Sequence, residues 1–180
     1  YYHSLMLEKA YKIGVTGANG FIGKNIIFQL RDMGYDVEPI NRNDFRDIDF
    51  THIINCAGVN RPIDNDFTAN YSYLDSLIKK YPSSKHLYIS STKISSDSAY
   101  GKSKKMGEYI CSINDGTVLR LPNVFGKWCR PNYNSVISTF IHNKFNNEEL
   151  VVKDDSVIDF IFIDDVIESI IDWLNGKDFY

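Results

Sequence analysis

The segment YKIGVTGANGFIG, residues 11–23, most constrains what this chain can fold into. Its first five residues form an apolar run with β-branched side chains, which predicts a buried strand, and a glycine-rich turn follows at once. From Phe21 to Met33 the apolar residues recur with helical spacing, and Gly34 closes the predicted helix. This order of strand, glycine turn and helix predicts the first βα unit of a layered α/β sheet.

Beyond Gly34 the chain continues to alternate between strand-like segments and segments with helical periodicity. The predicted strands are 35–40, 52–58, 85–91 and 117–121, with short candidates at 149–152 and 157–163; the predicted helices are 66–80, 100–113, 135–143 and 164–174. This alternation predicts an α/β fold with a doubly wound parallel sheet, because right-handed crossovers place helices on both faces.

The length of the chain fits a single domain. With 180 residues, of which 43% are hydrophobic, it is long enough for one well-packed core and too short for two. We assign this domain to residues 6–180, and we expect residues 1–5 to be an added or disordered start ahead of Met6.

Composition argues against several classes of partner. A net charge of −3 with scattered Lys and Arg offers no basic surface for nucleic acid. No apolar run reaches the ~20 residues that span a bilayer, so we expect no membrane partner. Cys56, Cys111 and Cys129 lie far apart without paired His residues, which predicts no metal site and no disulfide framework. Reduced thiols favour a cytoplasmic protein.

The glycines of the turn fall at Gly17, Gly20 and Gly23, a G-x-x-G-x-x-G spacing. A side chain in this turn would block the close approach of a pyrophosphate, whose charge the N terminus of the following helix favours. Gly23 would let the helix pack tightly on the strand. The pattern therefore predicts a dinucleotide site, with a plain βα turn as the alternative.

The end of the second predicted strand bears on the choice of dinucleotide. Asn41 and Arg42 stand where a carboxylate would accept from a ribose 2′-hydroxyl. A guanidinium there can pair with a 2′-phosphate, which favours NADP(H) over NAD. Asp44 lies close by, and a surface Arg without a ligand is the alternative.

Tyr100 and Lys104 form a second candidate site. Residues four apart share a helix face, so this pair can present a phenol and an ammonium to one cleft. The ammonium would lower the pKa of Tyr100, which could then exchange a proton with a carbonyl oxygen while a nicotinamide exchanges hydride with the carbon. Ser91, at the end of the preceding strand, could hold the same oxygen. The alternative is a polar turn on a surface helix, but ligands of doubly wound sheets bind at strand carboxyl ends, which favours the catalytic interpretation.

These motifs stand in the order found in the short-chain dehydrogenase/reductase superfamily, in its extended, nucleotide-sugar-modifying branch. They are TGANGFIG, NCAG, Asn70, the set of Ser91, Tyr100 and Lys104, LRLPNVFG and FIFIDDV. The resemblance covers nearly the whole chain and implies a Rossmann fold. AGVNRP, NYSYLDSL and above all RLPNVFGKWCRPNYNSVISTF, residues 120–140, are similar to the bacterial capsule-biosynthesis reductases of the UDP-N-acetyl-L-fucosamine pathway.

That resemblance implies NADPH-dependent reduction of the 4-keto group of a UDP-2-acetamido-2,6-dideoxy-hexos-4-ulose. It implies Tyr100 as the proton donor, Lys104 as the ribose-binding and pKa-lowering partner, and Ser91 as the residue that orients the 4-oxo group. The implied cofactor contacts are Gly17, Asn19, Gly20, Phe21, Ile22, Gly23, Arg42, Ala57, Gly58, Asn70, Tyr100, Lys104, Pro122 and Asn123. The implied substrate contacts are Arg61, Asn123, Lys127, Arg130 and Asn132.

The chain departs from this family in two ways. Members continue into a fuller substrate lobe and a cupin-like domain that epimerises C3, so we expect here a reduced C-terminal substrate lobe and no epimerisation by this chain itself. Either a separate polypeptide supplies the epimerase or the chain is a fragment of a longer protein; a homodimer or a separate cupin epimerase would be its protein partner. The link between Asn41 and His52 is also too short for a strand and helix, which should leave the adenine side of the site open.

Two other functions stay open. One is a nucleotide-sugar epimerase or dehydratase that retains NAD, against which Thr92 and Lys93 stand, because an Asp–Glu pair would follow Ser91 in a dehydratase. The other is a non-catalytic NADP-binding regulator or partner subunit. The intact pair of Tyr100 and Lys104 argues against it, and the short C-terminal part argues for it.

Overall fold

A five-stranded parallel sheet forms the centre of the protein. The computed structural model describes residues 11–42, 45–133, 135–151 and 157–177. The sheet strands are β1 (Lys12–Thr16), β2 (Asp36–Ile40), β3 (His52–Asn55), β4 (Lys85–Ser91) and β5 (Thr117–Leu121), in the order β2-β1-β3-β4-β5. All neighbouring pairs are parallel, with Ile13 opposite both Val37 and His52. The predicted doubly wound, Rossmann-like α/β fold is confirmed.

Helices cover both faces of this sheet. They are α1 (Phe21–Asp32), α2 (Ala69–Lys80), α3 (Ala99–Ser112) and α5 (Ile163–Leu174), whereas α4 (Val136–Phe145) contributes no residue to the packed cores. Consecutive β3 residues point to opposite faces: Ile54 joins the core with α1 and α5, and Ile53 joins the core with α2. Tyr88 of β4 packs between α2 and α3. The sheet therefore has a packed hydrophobic core on each of its two faces.

The sequence predicts most of these elements, with shifted boundaries. β3 ends at Asn55 rather than at residue 58, because Ala57 N donates to Thr16 Oγ1 at 3.1 Å instead of extending the strand. α2 begins at Ala69 rather than at residue 66, because the carboxylate of Asp66 accepts from Thr68 N at 2.8 Å and holds a turn there. Local side-chain hydrogen bonds account for both differences.

The part after β5 differs most from the prediction. Strands β6 (Asn123–Phe125) and β7 (Phe160–Phe162) form a small parallel sheet of their own. The prediction missed β6, whose pairing partner lies far along the chain, and β7 covers only three residues of the predicted 157–163. The predicted strand at 149–152 is wrong for residues 149–151, which are neither strand nor helix, and residue 152 lies outside the described residues. No residue of α4 is fully buried.

The link between β2 and β3 contains neither helix nor strand over residues 45–51, as its short length predicts. Its side chains Phe45, Ile48 and Phe50 pack against the core on the α2 side.

None of the helices in the described ranges is long and apolar enough to cross a membrane.

Candidate active site

The glycine turn between β1 and α1 leaves room for an anion. Gly17 has φ +66°, which favours glycine, and a Cβ on Gly23 would lie 2.3 Å from the Gly17 carbonyl oxygen. Gly20 caps α1 without a side-chain hydrogen bond, and the first turn of the helix contains no acidic residue. The amide groups of this N terminus therefore fit the pyrophosphate of a dinucleotide.

The ends of β1 and β3 are tied together next to this turn. The Thr16 hydroxyl donates to Asn55 Oδ1 and accepts from Ala57 N. Both Thr16 and Asn55 are buried. These contacts fix the backbone of residues 56–58, so that Gly58 faces Lys104, with 3.5 Å between a Cβ built on the glycine and the lysine Nζ.

A cavity of about 150 Å³ opens at the carboxyl ends of the strands. It contains the three predicted catalytic residues, Ser91, Tyr100 and Lys104. The other lining residues are Ile22, Cys56, Gly58, Asn60, Ile89, Ser90, Leu121, Pro122 and Val124. Side chains from α1, β4, α3 and the segment after β5 thus meet where a doubly wound sheet binds its ligands.

Tyr100 lies in the first turn of α3, whose N-cap Ser98 accepts from Gly101 N at 3.0 Å. Its ring packs edge-on against Phe67, with 5.8 Å between centroids. Burial raises the pKa of Tyr100, and a hydrogen bond with the Ser91 side chain opposes this rise. The expectation that Lys104 lowers this pKa is therefore not met, because the loss of water around the phenol outweighs the other influences.

Lys104 is almost completely buried, with 6% of its surface exposed. Its Nζ donates to the Ile89 carbonyl oxygen at 3.0 Å and lies 4.8 Å from the centre of the Tyr88 ring. Burial lowers the pKa of Lys104 to about 8, against the opposing influence of Cys56 and Glu108. Lys104 therefore presents a poorly solvated ammonium to the cavity near neutral pH.

Asn70 has a structural task that the sequence did not reveal. Its side-chain amide accepts from Val59 N at 2.6 Å and donates to Val59 O and to Ser103 Oγ. Ser103 Oγ in turn donates to Tyr100 O at 2.7 Å. Asn70 therefore clamps the segment after β3 to the turn of α3 that carries Tyr100.

Arg42 is exposed just beyond the end of β2, with its guanidinium 5.7 Å from the centre of the Tyr73 ring. β2 is the edge strand of the sheet and pairs with β1, which leads into the glycine turn. The contact of Arg42 with a 2′-phosphate stays a prediction. Asp44 lies outside the described residues.

None of the predicted substrate residues belongs to the lining of this cavity. Arg61 donates to Tyr133 O and stacks on that ring at 5.2 Å. Lys127 Nζ lies 4.3 Å from the ring centres of both Phe28 and Trp128. Asn132 N donates to Thr139 Oγ1, Arg130 lies in the same loop, and Asn123 begins β6. A substrate role for these residues stays a prediction.

Sequence reasoning missed a charged network behind Lys104. Glu108 accepts from Ser90 Oγ at 2.6 Å and from both Nε and Nη2 of Arg120, at 2.9 and 2.7 Å. The available signal was the helical spacing of Lys104 and Glu108, four residues apart. The pairing with Arg120 depends on the approach of β5 and could not be seen from spacing alone.

The fold and this site define the architecture of a short-chain dehydrogenase/reductase. The chain belongs to the NAD dependent epimerase/dehydratase family, whose sequence profile matches residues 73–178. It is 35% identical over 192 residues to a UDP-2-acetamido-2,6-beta-L-arabino-hexul-4-ose reductase of Pseudomonas aeruginosa, a match that covers 92% of this chain and 50% of the relative.

Solved structures give a consistent result. The capsular polysaccharide assembling protein CapF from Staphylococcus aureus is 32% identical with a TM-score of 0.77, over 94% of this chain and 51% of CapF. This chain spans about half the length of these two relatives. A dTDP-glucose 4,6-dehydratase from Bacillus anthracis, solved with NAD, has a TM-score of 0.76 at 20% identity, over 94% of this chain and 73% of the dehydratase, and shows the fold alone.

Proposed function

We propose that this chain carries the NADPH-dependent reductase site for the 4-keto group of a UDP-2-acetamido-2,6-dideoxy-hexos-4-ulose. The observation that carries the proposal is the meeting of Ser91, Tyr100 and Lys104 in one cavity beside the glycine turn. The similarity to a reductase of a UDP-linked 4-ulose supports the substrate class.

Each residue of the set has a separate task. A bound nicotinamide would supply the hydride that reduces the keto carbon. Tyr100 delivers the proton to the keto oxygen, and Ser91 hydrogen-bonds to that oxygen and holds it against the phenol. Lys104 donates to the ribose hydroxyls and places a positive charge near the phenolate that forms when Tyr100 gives up its proton.

The preference for NADP(H) rests on Arg42. Its exposed guanidinium lies just beyond the end of β2, forms no ion pair with a carboxylate of the described residues, and can pair with a 2′-phosphate. Titration of the chain with NADPH and with NADH tests this role. We expect NADPH to bind about tenfold more tightly and Arg42→Ala to remove the difference. Equal binding of both dinucleotides by the wild type would contradict the assignment.

The experiment for the activity follows the absorbance of NADPH with a UDP-4-keto-6-deoxy amino sugar as substrate. We expect turnover by the wild type and a loss of about 100-fold or more in Tyr100→Phe, with NADPH binding retained. Tyr109→Phe is a matched control, because Tyr109 lies on the exposed face of the same helix. NADPH binding without turnover by the wild type would contradict the reductase and favour a non-catalytic binding subunit. Product formation without loss of NADPH would favour an epimerase or dehydratase.

A further inference from the structure

A buried carboxylate joins three elements directly behind the catalytic cavity. The Glu108 side chain is 10% exposed, whereas its partner Arg120 is 56% exposed. Glu108 comes from α3, Ser90 from the end of β4, and Arg120 from β5. Hydrogen bonds from Ser90 and Arg120 lower the pKa of Glu108 against the effect of burial, so this carboxylate is ionised near neutral pH.

Glu108 and Lys104 lie one helical turn apart on the same face of α3. The titratable groups around Lys104 are Cys56 after β3, Tyr88 on β4, and Tyr100 and Glu108 on α3, with Arg120 of β5 behind Glu108. Burial raises the pKa of Cys56 to about 12 and that of both tyrosines, so these groups are neutral near pH 7. Glu108 is the group of this set that carries a negative charge.

We propose that Glu108 is a positioning residue whose carboxylate, held in place by Ser90 and Arg120, keeps Lys104 protonated in the cavity. Arg120 and the Ser90 hydroxyl together donate hydrogen bonds to both carboxylate oxygens of Glu108. These bonds hold the carboxylate in one position behind the cavity. The proposal deepens the function given above and rests on it for its catalytic meaning. The effect of the Glu108 charge on the pKa of Lys104 can be measured on the chain alone.

The pH dependence of unfolding tests this relation without cofactor or substrate. Lys104 loses its proton near pH 8 in the folded chain, against an ordinary value of 10.5. The unfolded chain therefore holds more protons on Lys104 between these values, so the contribution of Lys104 to the free energy of unfolding should rise with pH from about 8 upward. Burial raises the pKa values of Cys56 and Cys111 to about 12, which lowers the free energy of unfolding in the same range. Urea unfolding between pH 6.5 and 9 therefore compares each protein with its own Lys104→Met variant, and the difference between the two measures where the rise due to Lys104 begins.

Glu108→Gln removes the charge but keeps the size of the side chain. We expect the onset of the rise to move to lower pH by roughly half a unit to one unit. Asp75→Asn is a matched control, because it removes one carboxylate from an i,i+4 pair with Lys79 on the neighbouring helix α2. Its onset should stay at the wild-type position. An unchanged onset in Glu108→Gln would overturn the proposal.

Loss of Glu108 leaves Arg120 without its partner, which could prevent folding of the single variant. The double variant Glu108→Gln/Arg120→Gln removes both charges together and should show a smaller downward shift than Glu108→Gln, because loss of the Arg120 cation raises the pKa of Lys104. With the proposed substrate, the basic limb of the pH profile of turnover should shift downward in parallel, whereas a purely structural role would lower turnover equally at every pH. A wild type without turnover contradicts the proposed function and leaves the unfolding result as an independent test of Glu108.

Discussion

The start of α3 with the end of β4 and the segment from Lys127 to Phe145, which includes α4, are held in very different ways. In the first region Lys104, Glu108 and Ser90 are buried and hydrogen-bonded to neighbouring strands. In the second, α4 has no fully buried residue and Phe145 is 84% exposed. The proton-transfer groups therefore lie on a buried, hydrogen-bonded support, while the proposed substrate contacts Lys127, Arg130 and Asn132 lie on an open surface. The predictions below test this difference.

The largest expected effect is on turnover in Lys104→Met. Loss of the ammonium should reduce turnover of the proposed substrate by about 100-fold or more, because it removes the charge next to the Tyr100 phenolate. Stability should be unchanged or higher by about 1 kcal/mol, since burial already disfavours the charged form. Turnover assays and urea unfolding check the two parts.

Lys105→Met provides the control, because Lys105 is the exposed neighbour on the same helix. It should keep both turnover and stability. A Lys104→Met variant that loses both turnover and stability would mean that the lysine is mainly a structural element of the first region.

Gly23→Ala should have the next largest effect. The added Cβ would lie 2.3 Å from the Gly17 carbonyl oxygen, so α1 must move away from β1. We expect a loss of about 1–3 kcal/mol in the free energy of unfolding, measured in urea, together with weaker NADPH binding. Lys24→Ala, at the exposed next position, is the control. A change below about 0.5 kcal/mol in Gly23→Ala would show that the turn is less tightly packed than its geometry indicates.

The difference between the two regions also explains what the sequence could predict. Strand, turn and helix around Gly17 and Gly23 follow from local periodicity, and helical spacing places Tyr100 and Lys104 together. Such signals depend on residues that are close in the chain. The pairing of β6 with β7 and the contact of Glu108 with Arg120 join distant segments, and no spacing rule reports them.

The pKa of Tyr100 shows a second limit of sequence reasoning. Helical spacing predicts the neighbouring ammonium but not the amount of water that packing removes. In the structure Lys104 Nζ donates a hydrogen bond to the Ile89 carbonyl oxygen, and burial raises the pKa of the Tyr100 phenol. Charge proximity can be inferred from sequence, whereas the desolvation that competes with it depends on the assembled fold.

A smaller effect is expected at the other end of β4, where His86 is 4% exposed and donates from Nε2 to Tyr81 O at 2.9 Å. Burial lowers the pKa of His86 below 6.5. The unfolded chain therefore takes up a proton first as the pH falls, and stability present above pH 6.5 is lost below it. We expect a loss of at most about 1 kcal/mol between pH 6.5 and 5.5 by urea unfolding.

His86→Asn should reduce this loss on acidification. His142→Asn, on α4, should retain it, because His86 is still present. A slope that survives in His86→Asn would show that other titratable groups cause the acid sensitivity.

The smallest effect is expected at the exposed end of α4. Phe145→Ser removes a large apolar side chain, but 84% of its surface is already in water, so little hydrophobic stabilisation is lost. We expect the free energy of unfolding to change by less than about 0.5 kcal/mol. Leu174→Ala is the contrasting variant, because Leu174 at the end of α5 is buried in the core with 2% of its surface exposed. This substitution should lower the free energy of unfolding by about 2–5 kcal/mol. A loss above about 1 kcal/mol in Phe145→Ser would mean that α4 is covered in solution, and the contrast between the two regions would then fail.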